Sequence, residues 1–141
     1  MEYDVDLSEA GCNCNAAMYM IGMPAKNQNG SFRAGEDGMF YCDAAAVGGA
    51  YCPEFDIMEA NQYAYRAVNH HCNEPNSGGH YDWCDKPGSC AVDIITDHPT
   101  NEKHYGPGSE YTIDTLREFH IKVDFVEDSQ GTFVQYSITL T

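Results

Sequence analysis

Pro53-Glu54-Phe55-Asp56-Ile57-Met58-Glu59-Ala60-Asn61 is the stretch of sequence that decides the fold. Apolar and polar residues alternate through most of it, and this period predicts a β-strand. A strand that buries Phe55 on one face turns Glu54 and Asp56 together onto the other. Glu59 follows Glu54 by an odd number of residues, so strict alternation sends it to the wrong face. One β-bulge between Asp56 and Glu59 would bring all three carboxylates onto one face.

The spacing of these acids indicates a kind of chemistry. Four effective steps of roughly 3.3 Å place the Cα atoms of Glu54 and Glu59 about 13 Å apart. A Glu side chain reaches several ångströms from its Cα, so leaning side chains can bring the two carboxyl groups within about 5 Å, the separation used by retaining glycosidases. An acidic strand face in solvent is the simpler alternative for an isolated motif of this kind. The surrounding sequence is needed to distinguish a glycosidase site from a solvent-exposed acidic strand face.

Length and charge limit the class of protein. The chain has 141 residues, enough for one domain with a sizeable core. It carries 7 Lys and Arg against 22 Asp and Glu, a formal net charge of −15. Such a surface repels nucleic acids and anionic membranes, so neither is expected as a partner. No apolar run approaches the roughly 20 residues of a membrane span. A neutral substrate such as a glycan is compatible with this charge.

Cysteine usage indicates an oxidising, extracellular setting, so we expect a secreted protein. The chain has 7 cysteines, and Asn29-Gly30-Ser31 is its only N-glycosylation sequon, which makes Asn29 the candidate glycosylation site. The N-terminus resembles the inside of a strand and not a signal peptide, because Glu2–Asp6 alternates directly after Met1. We therefore expect a chain that has been processed or only partly recorded.

Strand-like alternation recurs along the chain, whereas no segment keeps a helical period. We predict strands at 3–7, 16–23, 54–60, 111–113, 119–126 and 133–140, separated by long irregular segments at 24–49 and 69–105. The last two predicted strands should form a hairpin through the turn 127–131. Few strands with long loops predict an all-β protein with little helix, a β-sandwich in one domain (1–141) whose loops are pinned by disulfides.

The motif Glu54–Asn61 resembles the catalytic strand of glycoside hydrolase family 7, the cellobiohydrolases and endoglucanases. Further segments resemble the family in the same order: Tyr3–Ser8, Cys12, Asn15, Tyr19, Tyr41-Cys42-Asp43, His70, Cys72, Cys84-Asp85, Cys90, Tyr105–Ser109 and Thr112–Thr115. Family 16 hydrolases share a related acidic strand, but the trailing Ala60-Asn61 and the flanking cysteines favour family 7. The resemblance implies a jelly-roll, concanavalin-like sandwich, of which this chain is an incomplete copy.

The resemblance also implies roles for individual residues. Glu54 would be the nucleophile, Glu59 the general acid/base, and Asp56 the group that orients the nucleophile. Asp43 and His70 would support these acids in the cleft. Asn15 and Tyr19 would contact the sugar. The family has Trp at the position of Met58, where a core-facing side chain is expected.

The family's disulfide pattern implies two bridges in this chain, Cys42–Cys52 and Cys72–Cys84. The expected partners of Cys12 and Cys90 lie beyond Thr141, and Cys14 is extra. An alternative is a zinc site built from His70, His71, Cys72, His80, Cys84 and Cys90. Because no C-x-x-C pair is present and the cysteines match a disulfide pattern, we expect no metal and no cofactor.

Two functions follow from these observations. The first is a secreted retaining hydrolase that cleaves β-1,4-linked glucan of the cellulose type. The second is a non-catalytic structural or glycan-binding protein on the same sandwich, which assembles through open strand edges. In either case, missing strands could come from the rest of a longer chain. The three intact acids favour the enzyme.

Overall fold

The computed structural model of the protein describes residues 1–35, 38–94 and 103–141. Within these ranges the chain forms nine strands: β1 Glu2–Val5, β2 Ala16–Ile21, β3 Glu54–Ala60, β4 Tyr65–His70, β5 Cys90–Asp93, β6 Tyr105–Gly106, β7 Ile113–Asp114, β8 Phe119–Glu127 and β9 Phe133–Leu140. The described residues form no helix, and so none that could cross a membrane. The all-β prediction is confirmed.

Tertiary contacts divide the chain into two compact units. The first unit comprises Met1–Ala17, Glu59–Arg66 and Asp93–Thr141. The second unit comprises Met18–Met58 and Ala67–Val92. The single domain expected from chain length stays a prediction.

The first unit holds an antiparallel sheet in the order β1-β8-β9. Ile121 and Val123 of β8 are fully buried, whereas Lys122 between them is exposed, as alternation along a strand requires. The β8–β9 connection is a tight turn, in which the Asp128 carboxylate accepts the backbone N–H of Thr132 (2.9 Å). Gly131 supplies the positive φ of 78° that the turn needs. The predicted hairpin is therefore confirmed.

Aromatic side chains form much of the core of the first unit. The ring of Tyr105 packs edge-to-face against Tyr65 (5.9 Å between centroids) and against Phe119 (6.0 Å). The Tyr105 hydroxyl donates to the carbonyl of Asn61 at 2.8 Å, so its polar end is satisfied although the residue is buried. These contacts fix the chain that leads out of β3.

The second unit contributes most residues of a sheet in the order β2-β3-β4-β5. Its core includes Ile57 of β3 and Val68 of β4, both essentially inaccessible to solvent. Two disulfides, Cys42–Cys52 and Cys72–Cys84, close loops of this unit. These are the two pairs that the family resemblance implies.

The sequence-based strand prediction differs from the structure at four strands, β4 to β7. It missed β4, where Ala67 and Val68 are buried in succession and break the period of two. It also missed β5 (Cys90–Asp93), which is only four residues long and lies in a segment rich in Gly, Pro and Asp. The predicted strand at 111–113 is displaced, because the observed short pairing joins Tyr105–Gly106 to Ile113–Asp114.

Candidate active site

Strand β3 carries the three acids and buries its residues unevenly. Asp56, Ile57 and Met58 are buried in succession, whereas Glu54 and Glu59 are partly exposed. Simple alternation does not produce such a pattern, because it would expose every second residue. Met58 points into the core at 4% exposure, as expected for the position where the family has Trp. The bulge between Asp56 and Glu59 stays a prediction.

Glu54, Asp56 and His70 form a cluster in the second unit. One carboxylate oxygen from each acid and one ring nitrogen of His70 all lie within 4.8 Å of one another. The two acids therefore turn to the same side of β3, as the sequence predicts. The backbone N–H of Ala44 donates to Oε2 of Glu54 at 2.9 Å. That hydrogen bond fixes the direction of the Glu54 carboxyl group.

His70 links Asp56 to a neighbouring turn. Its Nε2 atom lies 3.0 Å from Oδ2 of Asp56, and its Nδ1 atom lies 2.6 Å from the backbone carbonyl oxygen of Asp85. The side chains of His70 and Asp56 are 11% and 7% exposed. Both ring nitrogens of His70 are thus engaged, so the ring cannot rotate without losing two hydrogen bonds.

Asp43 belongs to a second polar group beside Glu54. It is 3% exposed, and its Oδ1 accepts the backbone N–H of Val47 at 3.0 Å. The hydroxyl of Tyr41 bonds to the Asp43 carboxylate and lies 3.3 Å from the hydroxyl of Tyr19. Burial, then the hydrogen bonds to Tyr19 and Asp43, raise the pKa of Tyr41 far above its usual value. Tyr41 therefore stays a neutral donor between the exposed Tyr19 and the buried Asp43.

Glu59 and Asn15 meet within the first unit. The side-chain amide of Asn15 donates from Nδ2 to Oε1 of Glu59 at 3.2 Å. Asn15 is exposed and Glu59 is partly exposed, so both can be reached from solvent. Their pairing brings together two residues that the sequence predicts for one site. The carboxyl separation of about 5 Å between Glu54 and Glu59 stays a prediction.

An open cleft of about 770 Å³ lies in the second unit, next to Tyr41. Its described lining consists of Asn27, Arg33, Gly35, Tyr41, Val47, Gly48 and Gly49. Gly48 packs so closely against Tyr41 that a Cβ there would lie 3.0 Å from the carbonyl oxygen of Tyr41. A Cβ on Gly49 would lie 2.5 Å from Nη2 of Arg33. The glycines thus leave the space that Tyr41 and Arg33 occupy beside the cleft.

The remaining predicted residues lie outside this cluster. Cys12, Cys14 and Cys90 are free, exposed thiols. Asn29 is exposed, and its Oδ1 accepts hydrogen bonds from the backbone N–H and the hydroxyl of Ser31 at 3.0 and 2.7 Å. Its role as a glycosylation site stays a prediction.

The alternative zinc site is not formed as the sequence suggests. Cys72 and Cys84 bond to each other, so neither sulfur is available as a thiolate ligand. His80 bonds through Nδ1 to the carbonyl of Lys26. The donor atoms of Glu54, Asp56 and His70 are close enough to hold a cation, but two carboxylates and an imidazole serve proton chemistry equally well.

Two functional contacts were missed by sequence reasoning, because each uses the backbone. Ala44 contributes only its N–H, and Asp85 contributes its carbonyl oxygen to His70. Neither contact depends on a side-chain type that a motif could reveal. The sequence Asp85-Lys86-Pro87-Gly88 is typical of a turn, and this pattern could have indicated the contact between Asp85 and His70.

Comparison with known proteins gives one consistent result. The model of the family described as Glycosyl hydrolase family 7 matches residues 45–138, more than half of the chain. Endoglucanase type C of Fusarium oxysporum is 29% identical over 157 residues, covering 94% of this chain and 36% of that protein. Endoglucanase 1 of Humicola insolens is 28% identical over 151 residues, covering 92% of this chain and 37% of that protein.

Solved structures agree with these relatives. A structure described as endoglucanase I complexed with cellobiose superposes with a TM-score of 0.78 and 26% identity, over 99% of this chain and 40% of that one. This likeness confirms the predicted β-sandwich fold class. The chain spans little more than a third of the length of the curated relatives it matches.

Proposed function

Because the chain belongs to glycosyl hydrolase family 7, we propose that it provides the catalytic strand of a secreted hydrolase that cleaves β-1,4-linked glucan with retention of configuration. One observation carries the proposal: Glu54 and Asp56 leave β3 on the same side, each held by its own hydrogen bond. Ala44 donates to Glu54, and His70 bonds to Asp56. A solvated acidic strand would have no need of such partners.

The proposed reaction has two steps. In the first, a carboxylate oxygen of Glu54 attacks the anomeric carbon, and the bond from that carbon to the glycosidic oxygen breaks. Glu59 gives its proton to the departing oxygen. In the second, Glu59 takes a proton from water, whose oxygen attacks the same carbon and releases Glu54. Two inversions give net retention.

The surroundings of Glu54 suit a nucleophile. The Ala44 N–H occupies Oε2, which leaves Oε1 as the atom to attack. Asp56 lies on the same side and is tied to His70, so it can orient Glu54 without competing for the substrate. The exposed Tyr19 hydroxyl next to Tyr41 is available to a sugar hydroxyl. The side-chain amide of Asn15 donates a hydrogen bond to Glu59 and so orients its carboxyl group.

The substrate class and the localisation have independent support. One structural relative is described as complexed with cellobiose, a β-1,4-linked glucose disaccharide. The net charge of −15 suits an uncharged polysaccharide better than an anionic one. Two disulfides and an exposed sequon asparagine favour an extracellular protein.

The proposal is tested by comparing Glu54→Gln and Glu59→Ala with the wild-type protein on soluble cello-oligosaccharides. Both variants should lose hydrolysis, because each lacks a group that forms or breaks a bond. With an activated aryl glycoside, azide should restore turnover of Glu59→Ala and give a β-glycosyl azide, because the small anion reaches the glycosyl-enzyme. Wild-type protein that is no faster than Glu54→Gln would overturn the proposal.

A second candidate function has its own observation. Among the described residues, β9 is an edge strand of the sheet β1-β8-β9, and the segment Thr132–Thr141 carries no charged side chain in a chain of net charge −15. Phe133 and Val134 are 53% and 56% exposed. Long uncharged edges pair readily with other strands. A second copy of the chain could add its own β9 there, which would give a structural, self-assembling protein.

Sedimentation separates the two candidates. Self-assembly through β9 predicts a dimer that Val134→Lys disperses, because a charge on an edge strand opposes pairing. Lys122→Gln, also on an exposed position of the same sheet, is the matched control and should leave the dimer intact. A monomer at every concentration would remove the second candidate.

A further inference from the structure

We propose that the turn Asp85–Gly88 is a positioning element, which fixes the tautomer of His70 so that His70 and Asp56 hold one proton between them. The effect of this turn on catalysis rests on the proposed function. The assignment of the His70 tautomer is independent of that function. The turn is formed by residues that touch neither Glu54 nor the cleft among the described contacts. Among the described contacts, His70 links the turn to Asp56.

Counting hydrogen-bond donors fixes where the protons lie. The Asp85 carbonyl oxygen, 2.6 Å from Nδ1 of His70, can only accept, so Nδ1 must carry a hydrogen. In the neutral ring Nε2 is then a bare acceptor. It lies 3.0 Å from Oδ2 of Asp56, and two acceptors cannot form a hydrogen bond. Either Nε2 or Asp56 must therefore be protonated, and in both cases one proton lies between the two residues.

The carbonyl of Asp85 is held rigidly in its position. The Asp85 carboxylate accepts the backbone N–H of Ser89 at 2.7 Å, and also the Ser89 hydroxyl. The backbone N–H of Asp85 donates to the carbonyl of His71 at 2.8 Å, which ties the turn to the end of β4. The adjacent disulfide Cys72–Cys84 closes the same connection covalently. The turn thus cannot swing away from His70 by itself.

Gly88 allows the turn to lie against the imidazole ring. Its φ of +70° is in the left-handed region that favours glycine. A Cβ at this position would lie 2.2 Å from Cγ1 of Val68 and 2.8 Å from Cε1 of His70. Neither atom has room to move, because Val68 is buried in the core and the ring is bonded at both nitrogens. Any side chain here would push His70 away from Asp85.

The arrangement has a consequence for the charge of the cluster. A shared proton makes the Asp56–His70 pair neutral overall, whether the proton lies on oxygen or on nitrogen. Glu54 can then be negatively charged without an uncompensated negative charge on Asp56 beside it. The proposed mechanism uses Glu54 as its nucleophile, so neutrality of the neighbouring pair favours the reaction. At the turn itself, the Asp85 carboxylate lies 3.7 Å from Nδ1 of His71.

The tautomer can be measured without any activity. In ¹⁵N-labelled wild-type protein, long-range ¹H–¹⁵N correlation distinguishes protonated from bare ring nitrogens, and a His70→Asn spectrum identifies the His70 signals. We expect Nδ1 to be protonated at every pH at which the protein is folded. A neutral His70 ring with its hydrogen on Nε2 and a bare Nδ1 would overturn the inference, even if the protein proved to be an active hydrolase.

The role of the turn is tested with Gly88→Ala. The matched control is Gly131→Ala, because Gly131 has a similar φ of +78° but no atom within 4 Å of the added Cβ. We expect Gly88→Ala to populate the Nε2–H tautomer and to lower kcat about 100-fold with little change in KM, as a misplaced catalytic group does. Gly131→Ala should keep the wild-type tautomer and kcat. A folded Gly88→Ala protein with the wild-type tautomer would contradict the proposal. If Gly88→Ala does not fold, the spectrum of the wild-type protein still tests whether Nδ1 of His70 carries the hydrogen.

Discussion

Nε2 of His70 lies 3.0 Å from Oδ2 of Asp56, and both side chains are almost completely removed from solvent. The pair joins strand β4 to strand β3, and donor atoms of both residues lie within 4.8 Å of a carboxylate oxygen of Glu54. Because a buried polar group is costly unless it is bonded, removing either residue is costly, since it takes a hydrogen-bond partner from the other. The candidate nucleophile therefore depends on a histidine that is not itself expected to react.

Replacing His70 should impair catalysis more than folding. His70→Asn keeps a polar side chain but cannot span both Asp56 and Asp85, so Asp56 loses its orientation. We expect kcat on cello-oligosaccharides to fall about 100-fold, in line with misplacement of a reacting group. His120→Asn is the control, since His120 forms a similar pair with Asp4 at 2.7 Å, on the surface of the first unit. Equal losses in the two variants would contradict the assignment.

Removing the Tyr41 hydroxyl should destabilise the second unit. Tyr41→Phe takes away one of the hydrogen-bond donors of the buried Asp43 carboxylate, and a lost hydrogen bond of this kind costs about 1–2 kcal/mol. Tyr19→Phe is the matched control, because it removes the exposed partner of the same hydroxyl. Urea unfolding should show the larger loss for Tyr41→Phe. Equal free energies of unfolding would mean that Asp43 does not depend on Tyr41.

Asp85 should make stability depend on pH in the acid range. Hydrogen bonds from the Ser89 hydroxyl and N–H lower the pKa of Asp85 below the usual value of 3.8. A carboxyl whose pKa is lowered by folding stabilises the native state above the unfolded pKa, and this contribution disappears as the pH falls through the folded pKa. The melting temperature should therefore fall below about pH 4, and fall less steeply in Asp85→Asn, because amides do not titrate. Parallel melting curves against pH would contradict this.

Much of the fold could be predicted from the sequence where one face of a strand is buried. Ile121 and Val123 alternate with polar residues, so β8 and its hairpin partner were found within one residue. Strand β4 could not be found in this way, because Ala67 and Val68 are buried in succession. A period-two pattern disappears wherever both faces of a strand are covered.

The candidate site was predictable only as far as side-chain types identify it. Glu54, Asp56 and His70 were expected together, and the structure brings their donor atoms within 4.8 Å. The groups that hold them were not expected, because Ala44 and Asp85 act through the backbone. Any residue except proline has the same N–H, and every residue has the same carbonyl. Only the folded chain reveals which of them face the acids.

The central claim is that Glu54 forms a covalent bond with the sugar, and trapping that bond tests it most directly. A 2-deoxy-2-fluoro-cellobioside with a good leaving group should react with the wild-type protein once and stop, because the fluorine slows release of the sugar. Peptide mass spectrometry should then find one added fluorocellobiosyl group on the peptide that contains Glu54, and fragmentation should place it on that residue. An active protein that carries the label on Glu59, or that turns over without any label, would contradict the account.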